Sequence, residues 1–112
     1  MKAEKNLAIL RLADLYGEAL TEKQREILSD YYARDFSLSE IAENSGVSRQ
    51  AVYAALGLAE ESLKNYEKKF GFYAFLHALQ EKLTALSTAE GAAVQSGLND
   101  VLEWIRSNYG TV

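Results

Sequence analysis

The chain has 112 residues, 48% of them apolar and 25% charged, and a formal net charge of −4. That suits one soluble domain, or one domain with an added helical arm, and argues against wholesale disorder. The absence of cysteine, with His77 the single histidine, excludes disulfide scaffolds, thiolate zinc and iron–sulfur sites, a cysteine nucleophile and any multi-histidine metal centre.

Apolar residues recur at three- and four-residue steps almost throughout, and no period-two run of strand length occurs, so the predicted fold is all-α. A first helix is expected from about Lys5 to Tyr16, burying Leu7, Leu10 and Ala13 with Leu12 and Tyr16, and stopping at Gly17. Thr21-Glu22-Lys23-Gln24 has the spacing of a capping box. A second helix follows to about Arg34, burying Ile27, Leu28 and Tyr31, with Tyr32 at its edge. Asp35-Phe36 is the next break. Ser37-Leu38-Ser39-Glu40 opens a short third helix through about Asn44, Ser45-Gly46-Val47 makes a turn, and Ser48 caps a fourth helix to Lys69 that Gly71 closes. Gly57 weakens its middle by about 1 kcal/mol relative to alanine. A fifth helix covers about Phe72 to Leu86, and Ser87-Thr88-Ala89-Glu90 offers a cap for a last one, with Trp104 and Tyr109 anchoring its end. The predicted organisation is a helix-turn-helix domain with an extended fourth helix over 1–70, and a C-terminal helical arm over 71–112.

The informative stretch is Leu38–Leu56. A helix-turn-helix needs a small residue where its helices approach, here Ala42, and a residue tolerant of positive φ four positions later, here Gly46. Val47, Val52 and Ala55 or Leu56 then wedge the second helix onto the first, and Ser48 caps it. Docked in a major groove, its start would present Ser48, Arg49, Gln50, Tyr53 and Ala54, with arginine suited to guanine and glutamine to adenine. Lys23, Arg25 and Arg34 would grip the backbone. Against this, residues 21–57 hold four basic residues (Lys23, Arg25, Arg34, Arg49) and six acidic ones (Glu22, Glu26, Asp30, Asp35, Glu40, Glu43). Proteins that live by gripping phosphate are usually basic. DNA reading and a protein-contacting scaffold therefore both stand open.

The blocks Leu20–Glu26, Asp30-Tyr31-Tyr32, Ser37–Glu43 and Gly46–Tyr53, continuing more loosely to Lys69, resemble the YlxM family of small bacterial proteins. Their helix-turn-helix is similar to region four of sigma factors. Genes of this family tend to lie beside those of the signal recognition particle and its receptor. The resemblance thus implies a regulatory or accessory role in co-translational targeting, with the targeting GTPases or their RNA as partners. Members usually carry an Asn-Ile-Lys-Arg-like run after the tyrosine that Tyr53 matches. Here Ala54-Ala55-Leu56-Gly57-Leu58 replaces it, which removes cations from the face that would approach nucleic acid.

Along the fourth helix Val52, Leu56, Ala59, Leu63, Tyr66 and Phe70 form an a/d-type seam. It is expected to pack on the C-terminal helices, on a second chain, or on both. A homodimer through residues 52–86 would use Leu56, Leu63, Tyr66, Phe70 and Phe75. Enzyme signatures are missing from the sequence: no phosphate loop, nucleophile elbow or histidine-based triad occurs, and no cofactor or metal is expected. Glu60-Glu61 reads as a solvated pair and His77 as a packed or half-exposed side chain. Tyr31-Tyr32 reads as helix packing rather than a stacking platform for RNA. Lys64, Lys68 and Lys69 make a modest basic end that reads as plain solvation before a phosphate or RNA site, the alternative being a contact for the targeting GTPase or its RNA. No apolar run approaches the ~18–20 residues of a membrane span, and the start lacks a signal-peptide core, so a cytoplasmic protein is expected.

Overall fold

The computed structural model describes residues 7–110, and Lys5 and Asn6 of the expected first helix lie outside them. The described residues form six α-helices: α1 Leu7–Tyr16, α2 Glu22–Leu28, α3 Leu38–Ser45, α4 Arg49–Phe70, α5 Phe72–Ser87 and α6 Ala92–Tyr109. The fold is all-α, and the chain divides after Tyr73 into two compact units.

In the first unit the helix starts are chemically specified. At Thr21 the hydroxyl accepts from the Gln24 amide at 3.1 Å while the Gln24 side chain accepts from the Thr21 amide at 3.1 Å. Ser37 and Glu40 repeat this reciprocal arrangement at the start of α3. Each box satisfies two backbone donors that a bare helix terminus would leave orphaned. Beyond Leu28, α2 widens into a π-helical turn over Ser29–Ala33. The Arg34 amide reaches back to the Ser29 carbonyl at 2.8 Å and the Phe36 amide to that of Asp30 at 2.9 Å. Asp35 then reverses the chain at φ 61, one of the few residue types that tolerates this region. The expected second helix is thus an α-helix with a π extension rather than one regular rod. The wide turn suits Tyr31 and Tyr32, whose rings meet edge-on at 4.9 Å and pack against the core.

That core gathers Ile9, Leu12, Tyr16, Leu20, Leu28, Leu56, Ala59 and Leu63. Two expectations change here. On α1 the buried stripe is Ile9, Leu12 and Tyr16, while Leu7 is exposed. On α4 the buried seam is filled by residues of α1 and α2, the partners the core requires. Leu56 and Leu63, expected at a dimer interface, are therefore consumed inside their own unit, and Leu63 has no exposure at all. Tyr66 is likewise engaged: its ring lies 5.9 Å from that of Tyr16, and its hydroxyl donates to the Ala19 carbonyl at 3.3 Å. Phe70 is exposed. Gly57 sits on an open face of α4 with nothing near a would-be Cβ, so the helix runs through it.

Gly71, at φ 62 and ψ 25, ends α4 in the left-handed conformation and leaves the first amides of α5 in need of acceptors. The Tyr16 hydroxyl accepts from the Phe72 amide at 3.0 Å and donates to Glu67 Oε1 at 2.6 Å, and the same oxygen accepts from the Tyr73 amide at 2.9 Å. Burial raises the ionisation of Tyr16 above its ordinary value of 10.0, with the bond to Glu67 next in weight. The folded chain holds this proton more tightly than the unfolded one, so stability is complete below pH 10 and falls as pH rises beyond it. Tyr16→Phe is expected to cost about 1–3 kcal/mol, since it orphans the Phe72 amide and removes one of the donors to Glu67. It should also flatten the alkaline branch of urea-unfolding midpoints measured against pH.

The second unit is a helical hairpin of α5 and α6. Phe75 stacks on Trp104 with centroids 5.8 Å apart, Tyr109 closes edge-on against both rings, and the Lys82 ammonium lies 4.8 Å above the indole. Phe75, also expected at a dimer interface, belongs to this cluster, which anchors the end of α6 as expected of Trp104 and Tyr109. The cap expected from Ser87 to Glu90 is not used to start α6. The Ser87 hydroxyl donates to the Thr84 carbonyl and that of Thr88 to the Ala85 carbonyl, so they close α5 instead. Gly91, at φ 60, precedes α6 without a side-chain cap. His77 is exposed beside Glu81 at 3.4 Å. Among the described residues no helix is long and apolar enough to cross a membrane.

Candidate helix-turn-helix surface

The helices α3 and α4 meet through the turn predicted from Ala42 and Gly46. Ala42 is buried with Ile41 and Val52, and Ile27, Tyr31, Phe36 and Leu38 pack around them. Gly46 adopts φ 69 and ψ 27, its amide bonding to the Ala42 carbonyl. The Val47 amide reaches the same carbonyl at 3.2 Å. No atom lies within 4 Å of a Cβ built on Gly46, so backbone conformation alone demands glycine there. Gly46→Val is expected to lower stability by roughly 1–2 kcal/mol and Gly46→Asn by clearly less, since asparagine tolerates this region. Chemical unfolding of the two variants checks the order.

Ser48 then starts α4, its hydroxyl accepting from the Ala51 amide at 3.0 Å. The buried side of α4 is Val52, Leu56, Ala59 and Leu63. Val47, expected among the wedge residues, is exposed instead, and of the alternatives Ala55 and Leu56 it is Leu56 that is buried and Ala55 that is exposed. Val47 lies in the turn outside α4, and Ala55 falls off the buried stripe. Both line a groove of about 450 Å³ whose floor includes Ile27, Ile41 and Val52, with Lys23, Glu26 and Asp30 at its edge.

Ser48, Arg49, Gln50, Tyr53 and Ala54 are all exposed, as is Lys23. The structure therefore brings the expected reading residues together on the free start of α4. Of the expected backbone grip, Lys23, Arg25 and Arg34 are all exposed, and the two arginines also make contacts within the protein. Arg25 donates from Nη1 to the carbonyls of Gly17 at 3.1 Å and Leu20 at 3.2 Å, closing the short 3₁₀ turn that joins α1 to α2. Arg34 pairs with Asp30 at 3.3 Å. Its neighbour on the other side of the turn, Asp35, adds further acid.

Further along α4, Tyr53, Ala54, Gly57, Glu60, Glu61 and Lys64 border a shallow groove, and Leu58 stands 63% exposed. Glu60 is not simply solvated: it accepts from the Tyr32 hydroxyl at 3.0 Å. Burial, and then this bond and the charge of Glu60, push the Tyr32 ionisation well above the ordinary phenol range. Tyr31 and Tyr32 are thus packing residues, and offer no stacking platform. The tyrosine–glutamate tie was missed in the sequence, where only the adjacency of Glu60 and Glu61 was visible. Tyr53, Ala54, Gly57 and Leu58 make an exposed strip without a charged side chain.

A family model described as "Putative helix-turn-helix protein, YlxM / p13 like" matches residues 3–98. A UPF0122 protein of Symbiobacterium thermophilum is 41% identical over 102 residues, covering 88% of this chain and 94% of its own length. One of Caldanaerobacter subterraneus subsp. tengcongensis is 57% identical over 60 residues, covering 54% of this chain and 51% of its own. Another, of Halalkalibacterium halodurans, is 45% identical over 86 residues, or 77% and 79% of the two chains. With its capped α3, left-handed Gly46 and exposed start of α4, the chain belongs to the UPF0122 family of YlxM/p13-like helix-turn-helix proteins.

Proposed function

We propose that this protein is a non-enzymatic regulatory factor whose helix-turn-helix presents the first half of α4 to a protein partner. The resemblance described above supports the signal recognition particle pathway as its context, with a targeting GTPase, alone or with its RNA, as the proposed partner. One observation carries the preference for protein. The exposed strip of Tyr53, Ala54, Gly57 and Leu58 is uncharged, and of the three cations that would grip phosphates Arg25 and Arg34 are engaged by carbonyls and by Asp30, which leaves Lys23. Aromatic and aliphatic groups with little charge are what interface centres favour, whereas duplex binding draws on several free cations. The test is co-purification of the full chain with the targeting GTPase. Leu58→Glu should abolish it, and Lys64→Glu or Lys68→Glu should weaken it where the RNA contributes. Failure of the unaltered chain to co-purify would end this reading.

The second reading, a sequence-specific DNA-binding transcriptional regulator, is favoured by the exposure of Ser48, Arg49 and Gln50 at the start of α4. A salt titration of duplex DNA by fluorescence anisotropy separates the two. A DNA reader shows a steep salt dependence and loses affinity in Arg49→Ala and Gln50→Ala. The protein-contact reading predicts weak binding that these substitutions leave unchanged.

A further inference from the structure

The α5–α6 hairpin is short of a core. Among its described residues only Val101 is buried, although α5 and α6 run 16 and 18 residues and are rich in leucine. Two helices of this length rarely bury enough surface to offset their own ordering. Contacts between the two helices fix the inner seam. Phe75 meets Trp104 and Tyr109, Lys82 covers Trp104, and Leu86 occupies the space a methyl on Gly97 would need. Gly97, Val101 and Trp104 on α6 thus face Phe75, Lys82 and Leu86 on α5.

The residue after each seam position is turned by roughly 100° about its helix. In two antiparallel right-handed helices that turn leads to the same side of the pair. Leu76 and Leu83 therefore share one face with Leu98, Leu102 and Ile105. Leu83 is 48%, Leu98 41% and Leu102 47% exposed, so the hairpin by itself does not cover this face. Beside Leu76 and Leu83 an open groove of about 560 Å³ runs along α5, lined also by Gln80, Thr84 and Ser87. No charged residue lines it or stands among the five apolar residues.

We infer that this face is covered by a second copy of the chain, two hairpins packing back to back into a four-helix bundle. The face carries exposed leucines on both helices, so a two-fold axis sets the same apolar surface of each copy against its twin. Nothing charged opposes like meeting like. Helices about 24–27 Å long, set about 10 Å apart, offer a footprint of about 500 Å² per copy, or roughly 1,000 Å² in the pair. That reaches the size of a specific interface. The inference is independent of what α4 contacts. It also shifts the dimer expected through residues 52–86 to residues 76–105.

Sedimentation equilibrium of the full chain tests it. At high micromolar concentration the mass should be twice the 12.5 kDa of one chain. Leu83→Glu and Leu102→Glu, both at exposed positions, should each weaken association at least tenfold while helical circular dichroism is retained. Leu58→Glu, on α4, should leave it unchanged. A 12.5 kDa species at every concentration would overturn the inference and assign the face to a different protein. A dimer that survives Leu83→Glu and Leu102→Glu but dissociates in Leu58→Glu would overturn it equally.

Discussion

Leu63→Ala is expected to destabilise the helix-turn-helix unit by about 2–5 kcal/mol, a large share of the ~5–15 kcal/mol typical of a folded domain. Leu63 has no solvent exposure and lies in a cluster with Ile9, Leu12, Tyr16, Leu20 and Leu28. Truncation therefore removes buried methyl groups and leaves a cavity between rods whose caps and turns resist collapse. The same substitution should leave the association constant untouched, because this leucine faces the chain's own α1 and α2. Phe70→Ser, on the exposed end of the same seam, should change stability by no more than about 0.5 kcal/mol. Urea unfolding of the two variants reads the contrast. A neutral Leu63→Ala that lost self-association would mean that the seam meets a second chain.

The second large effect concerns the partner. Tyr53 is 68% and Leu58 63% exposed, five positions apart on α4, and neither stabilises the fold by burial. Interface energy concentrates in a few aromatic and apolar anchors that are desolvated on binding. Removing Tyr53 from the centre of such a patch commonly costs about 2 kcal/mol or more, a loss in affinity of roughly thirtyfold. A glutamate at position 58 adds an unpaired charge to a drying surface. Tyr53→Ala with Leu58→Glu is expected to abolish capture of the partner at micromolar concentrations while thermal unfolding moves little. Arg49→Ala should matter far less, since a rim cation contributes mainly to the rate of encounter. An order of effects reversed, with Arg49 and Gln50 dominant, belongs to a surface that reads bases.

Much of the first unit was legible because its signals are local. Thr21 and Ser37 each stand three residues ahead of a glutamine or glutamate at the start of an apolar periodic run, and both boxes formed. Gly46 and Gly71 mark left-handed ends, and the small Ala42 marks the place where α3 is crossed. What the residues could not disclose is which surfaces meet. The period of the α4 seam says that Leu56 and Leu63 are buried, without saying against what, and α1 and α2 turned out to supply the cover. Arg25 has the same identity whether it grips a phosphate or a pair of carbonyls, and only the fold puts Gly17 and Leu20 within its reach. The hydroxyls of Ser87 and Thr88 fit either side of a helix boundary. They took the end of α5. The π-helical extension of α2 has no sequence signature of its own, because a regular α-helix would accept the same residues.

The regulatory reading turns on the first half of α4 being a protein-contact surface. Affinity capture from lysate with nuclease and without it, comparing the unaltered chain with the Tyr53→Ala, Leu58→Glu variant, asks this most directly. The targeting GTPase should be retained by the unaltered chain after nuclease treatment and lost by the variant. Capture that nuclease abolishes, or that the variant keeps in full, would contradict the account.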